Sequence, residues 1–257
     1  MKKRIIISVV LAVLTAASAC AQTTANDFIM LVRTGTPQDV QAAIDRGADP
    51  NVRDMGSGGE TALINAGYYN PNPEMITTLL KAGADLKARD ANGATALLYA
   101  AWYNPNPDVI TTLLKAGADI MDRDMNGITP LMYAAGFNQK PEVITALLKA
   151  GADIKDRDTG FDMTPLMWAA KSNPNTEVIT TLLKAGADVK ANNNIGWTPL
   201  IEAASKNQNP DVIIVLLKAG ADAKAKDLRG KTAFDYAQAN EKLKGTDALK
   251  QLEKASK

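Results

Sequence analysis

The chain contains no histidine and only one cysteine, Cys20. The first absence removes Ser-His and Cys-His nucleophile pairs, imidazole metal sites and the residue most used as a general base. The second rules out an intrachain disulfide, so stability must come from packing. Charge of either sign is also lacking in excess: 29 Lys+Arg against 28 Asp+Glu leave a net +1 over 257 residues. Beyond the first four positions no basic cluster interrupts the alternation, which disfavours nucleic acid as a partner, since phosphate contacts need a basic face. Aromatic residues are 5% of the chain. No apolar run suffices to span a bilayer: the longest, from Ile5, is about 15 residues, against the roughly 20 a helix needs.

That run belongs to a start with its own meaning. MKKRIIISVVLAVLTAASACAQ has a charged beginning (Lys2, Lys3, Arg4), an apolar middle and a small-residue end, the pattern of a bacterial-type secretory signal over residues 1–21. Cleavage is expected before Cys20 or before Gln22. Ala17-Ser18-Ala19-Cys20 resembles a lipoprotein box, with Ala17 where leucine is usual, and would make Cys20 a lipidated N-terminus. Ala19-Cys20-Ala21 fits ordinary cleavage before Gln22, and this soluble form is the favoured one. The expected location is periplasmic or secreted, with an outer-membrane lipoprotein as the alternative. A lipid on Cys20 would be the only membrane attachment.

What the chain has in abundance is repetition. LLKAGAD recurs with Gly83, Gly117, Gly151, Gly186 and Gly220 as its glycine, and weakly at Gly47; successive gaps are 36, 34, 34, 35 and 34. Such a period means stacked units, none able to bury its apolar face alone. Residues 24–257 therefore read as one all-α repeat solenoid of about seven units, with degenerate caps at both ends. Full units begin at Thr61, Thr95, Thr129, Thr164 and Thr198; MGSGGE lengthens the loop before the first of them. Within a unit, Thr129-Pro130 predicts a capped helix start, and Asn106-Pro107-Asp108 predicts a second. Val109, Ile110, Leu113 and Leu114 form one helical stripe. Gly117 falls where a left-handed residue ends the helix, and Asp124-Met125-Asn126-Gly127 is a tight hairpin-like turn.

TPLMYAA, LLKAGAD and D-x-x-G-x-T-P-L, repeated in phase from about Asp27 to Lys254, resemble ankyrin repeats, whose pattern is T-P-L-H-x-A. The resemblance implies a helix-turn-helix-hairpin unit and a concave face where partners bind. It departs from the family in two places. Ile64, Leu98, Met132, Met167 and Ile201 stand where the family has histidine, so the polar link made there is expected to be lost. An NPNP-type turn replaces the Gly-His turn between helices.

No catalytic constellation emerges. Asp85, Asp119, Asp153, Asp188 and Asp222 recur once per unit, as turn elements do. Gly230-Lys231-Thr232 lacks the glycine a P-loop needs at Ala225, the Asp122–Gly127 stretch has Tyr133 where a calcium loop has glutamate, and MGSGGE lacks dinucleotide-site spacing. The expectation is no enzyme, no metal and no cofactor.

The aromatics are more telling. Tyr68, Tyr69, Trp102, Tyr103 and Phe137 follow paired small residues at the end of the first helix; Tyr99, Tyr133 and Trp168 lie slightly earlier. Phe161 and Trp197 sit in hairpin turns, with Ile128 and Met163 beside such turns. By the resemblance, these twelve line the concave face and form a partner-binding surface of the kind hot spots use. The predicted function is a monomeric, exported module binding a protein as scaffold or inhibitor. The alternative is a small-molecule or glycan binder using an aromatic pocket between units. Trp102 and Tyr103 are expected to be replaceable by alanine with little loss of stability.

Overall fold

The computed structural model describes residues 25–257, so the signal and Cys20 lie outside the described residues. The chain is a row of helix pairs. α1 (residues 25–34) and α2 (Pro37–Asp45) make the first pair. The following pairs are α3 (Ala62–Tyr69) with α4 (Pro73–Lys81), α5 (Ala96–Tyr103) with α6 (Pro107–Lys115), and α7 (Pro130–Phe137) with α8 (Pro141–Lys149). Then come α9 (Pro165–Ser172) with α10 (Thr176–Lys184), and α11 (Pro199–Lys206) with α12 (Asp211–Lys218). The row closes with α13 (Ala233–Ala237) and α14 (Asp247–Ser256). Odd-numbered helices from α3 to α13 stack on one another as an inner layer, and even-numbered ones from α2 to α14 stack as an outer layer.

Local chemistry sets the ends of each helix. The hydroxyls of Thr61, Thr129, Thr164 and Thr198 accept from the backbone N–H three residues on, as expected of N-caps. Thr95 does not cap; its hydroxyl donates to Asp122 at 2.7 Å instead. Asn72, Asn106 and Asn175 cap α4, α6 and α10, with proline leading α4 and α6. Gly151 follows α8 at φ +98°, the left-handed conformation its position predicts.

The core is a continuous apolar sheet of contacts between the two layers. Val109, Ile110 and Leu113 of α6 are completely buried, and their counterparts in α4, α8, α10 and α12 match them; Leu114 is only partly covered. Small residues let the inner helices approach closely. A Cβ at Gly67 would lie 2.7 Å from the Ala96 carbonyl oxygen of the next unit. The charged residues of α14 face outward while Ala248 and Leu252 are buried, so the last helix covers the end of the core.

The loops after the outer helices are hairpin-like in outline, but only the first is a ladder. There β1 (Arg53–Asp54) pairs antiparallel with β2 (Glu60–Thr61) around MGSGG. Elsewhere one aspartate organises the turn: Asp124 Oδ1 accepts from the N–H groups of Asn126 and Ile128. In the longer turn after α8, Asp158 does the same for Gly160 and Phe161, and the added residue Asp162 takes φ 63°. That residue accounts for the gap of 35.

Candidate partner-binding face

The two positions just past each pair of small inner-helix residues carry rings in three units: Tyr68-Tyr69, Trp102-Tyr103 and, after Gly136, Phe137. Tyr68 stacks on Tyr103 at 4.8 Å and meets Tyr69, Tyr99 and Trp102 edge-on. Trp102 stacks on Tyr133 at 5.3 Å and touches Phe137, which reaches Trp168 at 6.0 Å. Eight of the twelve predicted residues thus form one ridge of rings from α3 to α9. Its outermost members are Tyr69, Tyr103 and Phe137, 47%, 61% and 40% exposed. Arg33 closes one end over the Tyr69 ring, and Lys171 closes the other over Trp168.

The remaining four are placed differently. Ile128 and Met163 are 8% and 1% exposed, packed beneath the hairpins, and so do not belong to a contact surface. Their position beside a turn is a buried step, because the hairpin folds its apolar flank onto the inner helix. Trp197 is half-buried: its indole N–H donates to Asp227 at 3.1 Å and its ring packs on Tyr236. It joins neighbouring units and lies off the ridge. Phe161 projects alone from its turn, 56% exposed.

Two polar systems underlie the ridge, and the sequence reading missed both. The link expected to be lost with the family's histidine is present, one residue further on. The Tyr99 hydroxyl donates to Asp90 at 2.8 Å, Tyr133 to Asp124 at 2.9 Å, the Trp168 indole N–H to Asp158 at 2.8 Å, and Tyr236 to Asp227 at 2.6 Å. Burial and these bonds raise the Tyr99 and Tyr133 hydroxyls well above the ordinary phenol range. For Asp227 burial acts upward, yet bonds from Tyr236, Lys231, Arg229 and Trp197 hold its carboxyl below the usual value. In Tyr99, Tyr133 and Trp168 the polar tip is thus anchored while the ring face belongs to the ridge.

The second system is the first asparagine of each inter-helix turn. Asn104 Nδ2 donates to the carbonyls of Gly67 and Asn70, Asn138 to those of Ala101 and Asn104, and Asn173 to those of Ala135 and Asn138. Asn70, Asn207 and Asn240 continue the series. The NPNP-type turn is thus a buried amide ladder that ties each unit to the one before it.

Two inner-helix positions break the rule: in α3 the place is taken by Asn65, whose side-chain oxygen accepts from Arg33 at 2.7 Å, and α11 is the other. In α11 the tyrosine or tryptophan is replaced by Glu202, and its turn partner is Asn193 in place of aspartate. Glu202 is 3% exposed and accepts one long bond, 3.5 Å from Asn193 Nδ2. Burial pushes its carboxyl up to about 7, against the fields of Lys171 and Lys206, which act downward. Among the described residues no group of three or more acidic or cysteine side chains is arranged to hold a metal ion, and no helix is long and apolar enough to cross a membrane. A groove of about 850 Å³ lies on the outer layer between α6 and α8, away from the rings.

Comparison with known proteins agrees with this architecture. A family model described as ankyrin repeats (3 copies) matches residues 28–124, 106–193, 131–227 and 166–255. No curated protein matches the chain. Among solved structures, the crystal structure of the human ASB11 ankyrin repeat domain superposes with a TM-score of 0.74 at 23% identity, over 89% of this chain and 96% of that one. Ankyrin repeats generally serve as protein–protein interaction modules and are typically non-enzymatic. With the repeat unit, its two layers and the family match extending over nearly all described residues, the chain belongs to the ankyrin-repeat family.

Proposed function

We propose that the chain is an exported, non-catalytic module that holds a protein partner against the aromatic ridge of α3, α5 and α7, acting as scaffold or inhibitor. The observation that carries this reading is the exposure of Tyr69, Tyr103 and Phe137 on top of rings that are themselves anchored. A pre-formed aromatic platform loses little side-chain freedom on binding, which is what makes such residues hot spots. Its extent over three units suits a contact of the roughly 1,200 Å² a stable protein complex needs. The inter-unit crevice at Tyr99, Trp102 and Tyr133 is about 150 Å³. That is below the roughly 300 Å³ of ordinary small-molecule sites, so a protein is favoured over a compact ligand. A glycan laid along the ridge is the second reading, because exposed tyrosine faces also stack on sugar rings. The location follows from the N-terminal signal: periplasmic or secreted, or membrane-attached through Cys20 if lipidated.

The experiment is co-purification from an envelope extract with the mature protein as bait, beside a triple variant carrying Tyr69→Ala, Tyr103→Ala and Phe137→Ala. Loss of a stoichiometric partner in a variant that melts normally supports the reading. Retention of that partner defeats it, and oligosaccharide binding with no protein captured would favour the glycan.

A further inference from the structure

The exception at Glu202 points to a second element of the same face. We infer that the cavity above Glu202 is a subsite for the ammonium or guanidinium group of a lysine or arginine side chain of the partner, entering between Phe161 and Trp197. This rests on the reading of the inner-helix and hairpin face as a protein-binding surface.

Four observations converge. Every other full unit from α5 onward fills this place with a tyrosine or tryptophan whose polar tip meets a turn aspartate; here Glu202 borders a crevice of about 180 Å³, the counterpart of the 150 Å³ one beside Tyr133. That volume takes the end of one side chain and falls short of the roughly 300 Å³ of a small-molecule site. At its base is a carboxylate 3% exposed with a single hydrogen bond of 3.5 Å, an arrangement that leaves acceptor capacity unused where water is scarce. The apolar part of the walls, Phe161, Met163, Ile195 and Trp197, suits an alkyl stem and offers ring faces to a cation, and Lys171 and Lys206 complete the lining.

The charged groups around Glu202 are Lys171 from α9, Lys206 from α11 itself and Asp158 from the preceding turn. Among the described residues neither lysine forms an ion pair with Glu202. Both line the crevice: Lys171 lies over the Trp168 ring, and Lys206 is exposed, so water and salt screen its repulsion of a guest. The guest's N–H groups would complete the carboxylate's hydrogen bonds and hold it ionised.

The test is an NMR titration of the whole mature protein at about pH 8, above the carboxyl's value of about 7, where the charged form predominates. The probes are Nα-acetyl-lysine methylamide, Nα-acetyl-arginine methylamide and the neutral norleucine analogue. The basic probes should shift the Trp197 indole and Asn193 side-chain amide signals, binding about tenfold or more tighter than the neutral one. Glu202→Gln should abolish that preference, and Lys206→Gln should strengthen it by removing a like charge. A double variant, Asn193→Asp with Glu202→Tyr, restores the pair seen at Asp90 and Tyr99; it should melt at least as high as the parent and bind neither basic probe. Equal binding of the neutral probe, or undiminished binding in Glu202→Gln, overturns the inference. Weakening by Lys206→Gln would mark an anionic guest and overturn it too, and binding of free arginine without the capped probes would overturn the polypeptide source. None of these probes requires the ridge, so failure here leaves the aromatic reading standing, and failure of the ridge variant leaves the probe result intact.

Discussion

The units of α3, α5 and α7 and those of α9 and α11 share one skeleton and differ in what stands on it. Both sets have the threonine start, the aliphatic outer helix, the left-handed glycine and the buried asparagine. Past the paired small residues, however, the first set carries Tyr68-Tyr69, Trp102-Tyr103 and Gly136-Phe137, while the second carries Lys171-Ser172 and Ser205-Lys206. The hairpins follow the same division. Arg53, Arg89, Arg123 and Arg157 each donate to a carbonyl of the next unit's turn, and Asn192 and Lys226 take over that position later. The difference teaches that the fold leaves these positions free. Asparagine amides and outer-helix aliphatics hold the stack in both halves, so ring or lysine can occupy the slot without altering the backbone.

The comparison is broken most severely by Trp102→Ala. Its ring touches Tyr68, Tyr99, Tyr133 and Phe137, so the idea that it could be trimmed at little cost does not survive the structure. Removal should cost about 3 kcal/mol, the low end for a tryptophan because it is half-buried. Lys171→Ala, at the matching slot, should cost below about 0.5 kcal/mol. Denaturant unfolding of both decides this, and equal losses would mean that the two slots are energetically the same.

Glu202→Gln probes the other half through pH. The native carboxyl is raised to about 7 from 4.5, so the folded state binds this proton more tightly than the unfolded one. Its stabilising effect is complete below the unfolded value and disappears as pH rises through about 7. The 2.5-unit difference (7 − 4.5) sets an upper scale of about 3 kcal/mol. The variant should therefore gain stability over the parent above neutrality and lose that advantage in acid. Melting curves across this range check it, and a pH-independent difference would show that burial does not govern Glu202.

Asn104→Ala and Asn173→Ala test the part the halves share. Each removes two amide donations to backbone carbonyls, so each should cost about 2 kcal/mol, and by nearly equal amounts. A large inequality would place the ladder's strength in one half only. The smallest effect on folding is expected from Tyr103→Ala, whose ring is the most exposed of the ridge. Stability should fall by less than about 1 kcal/mol, while partner affinity falls about tenfold or more. A melting scan and a titration on the same variant separate the two.

Periodicity, capping residues and helix-ending glycines were legible because they act within a few residues of their own position. Thr129, Gly151 and the stripe Val109-Ile110-Leu113 needed no knowledge of neighbours, and each lies where its local chemistry places it. The clustering of rings on one face was legible too, since a fixed offset after the paired small residues puts them on the same side of successive inner helices. Tertiary structure decided the rest. The amide of Asn104 meets carbonyls 34 and 37 residues back, and the Tyr99 hydroxyl meets Asp90 across a folded turn. Those partners converge only when units stack. Ile128 and Met163 resembled surface residues in a loop until the hairpin folded over them. Sequence thus determined the unit and its period, because helices and turns are fixed by short-range sterics and hydrogen bonds. Which side chains remained open to a partner depended on burial by residues a whole repeat away.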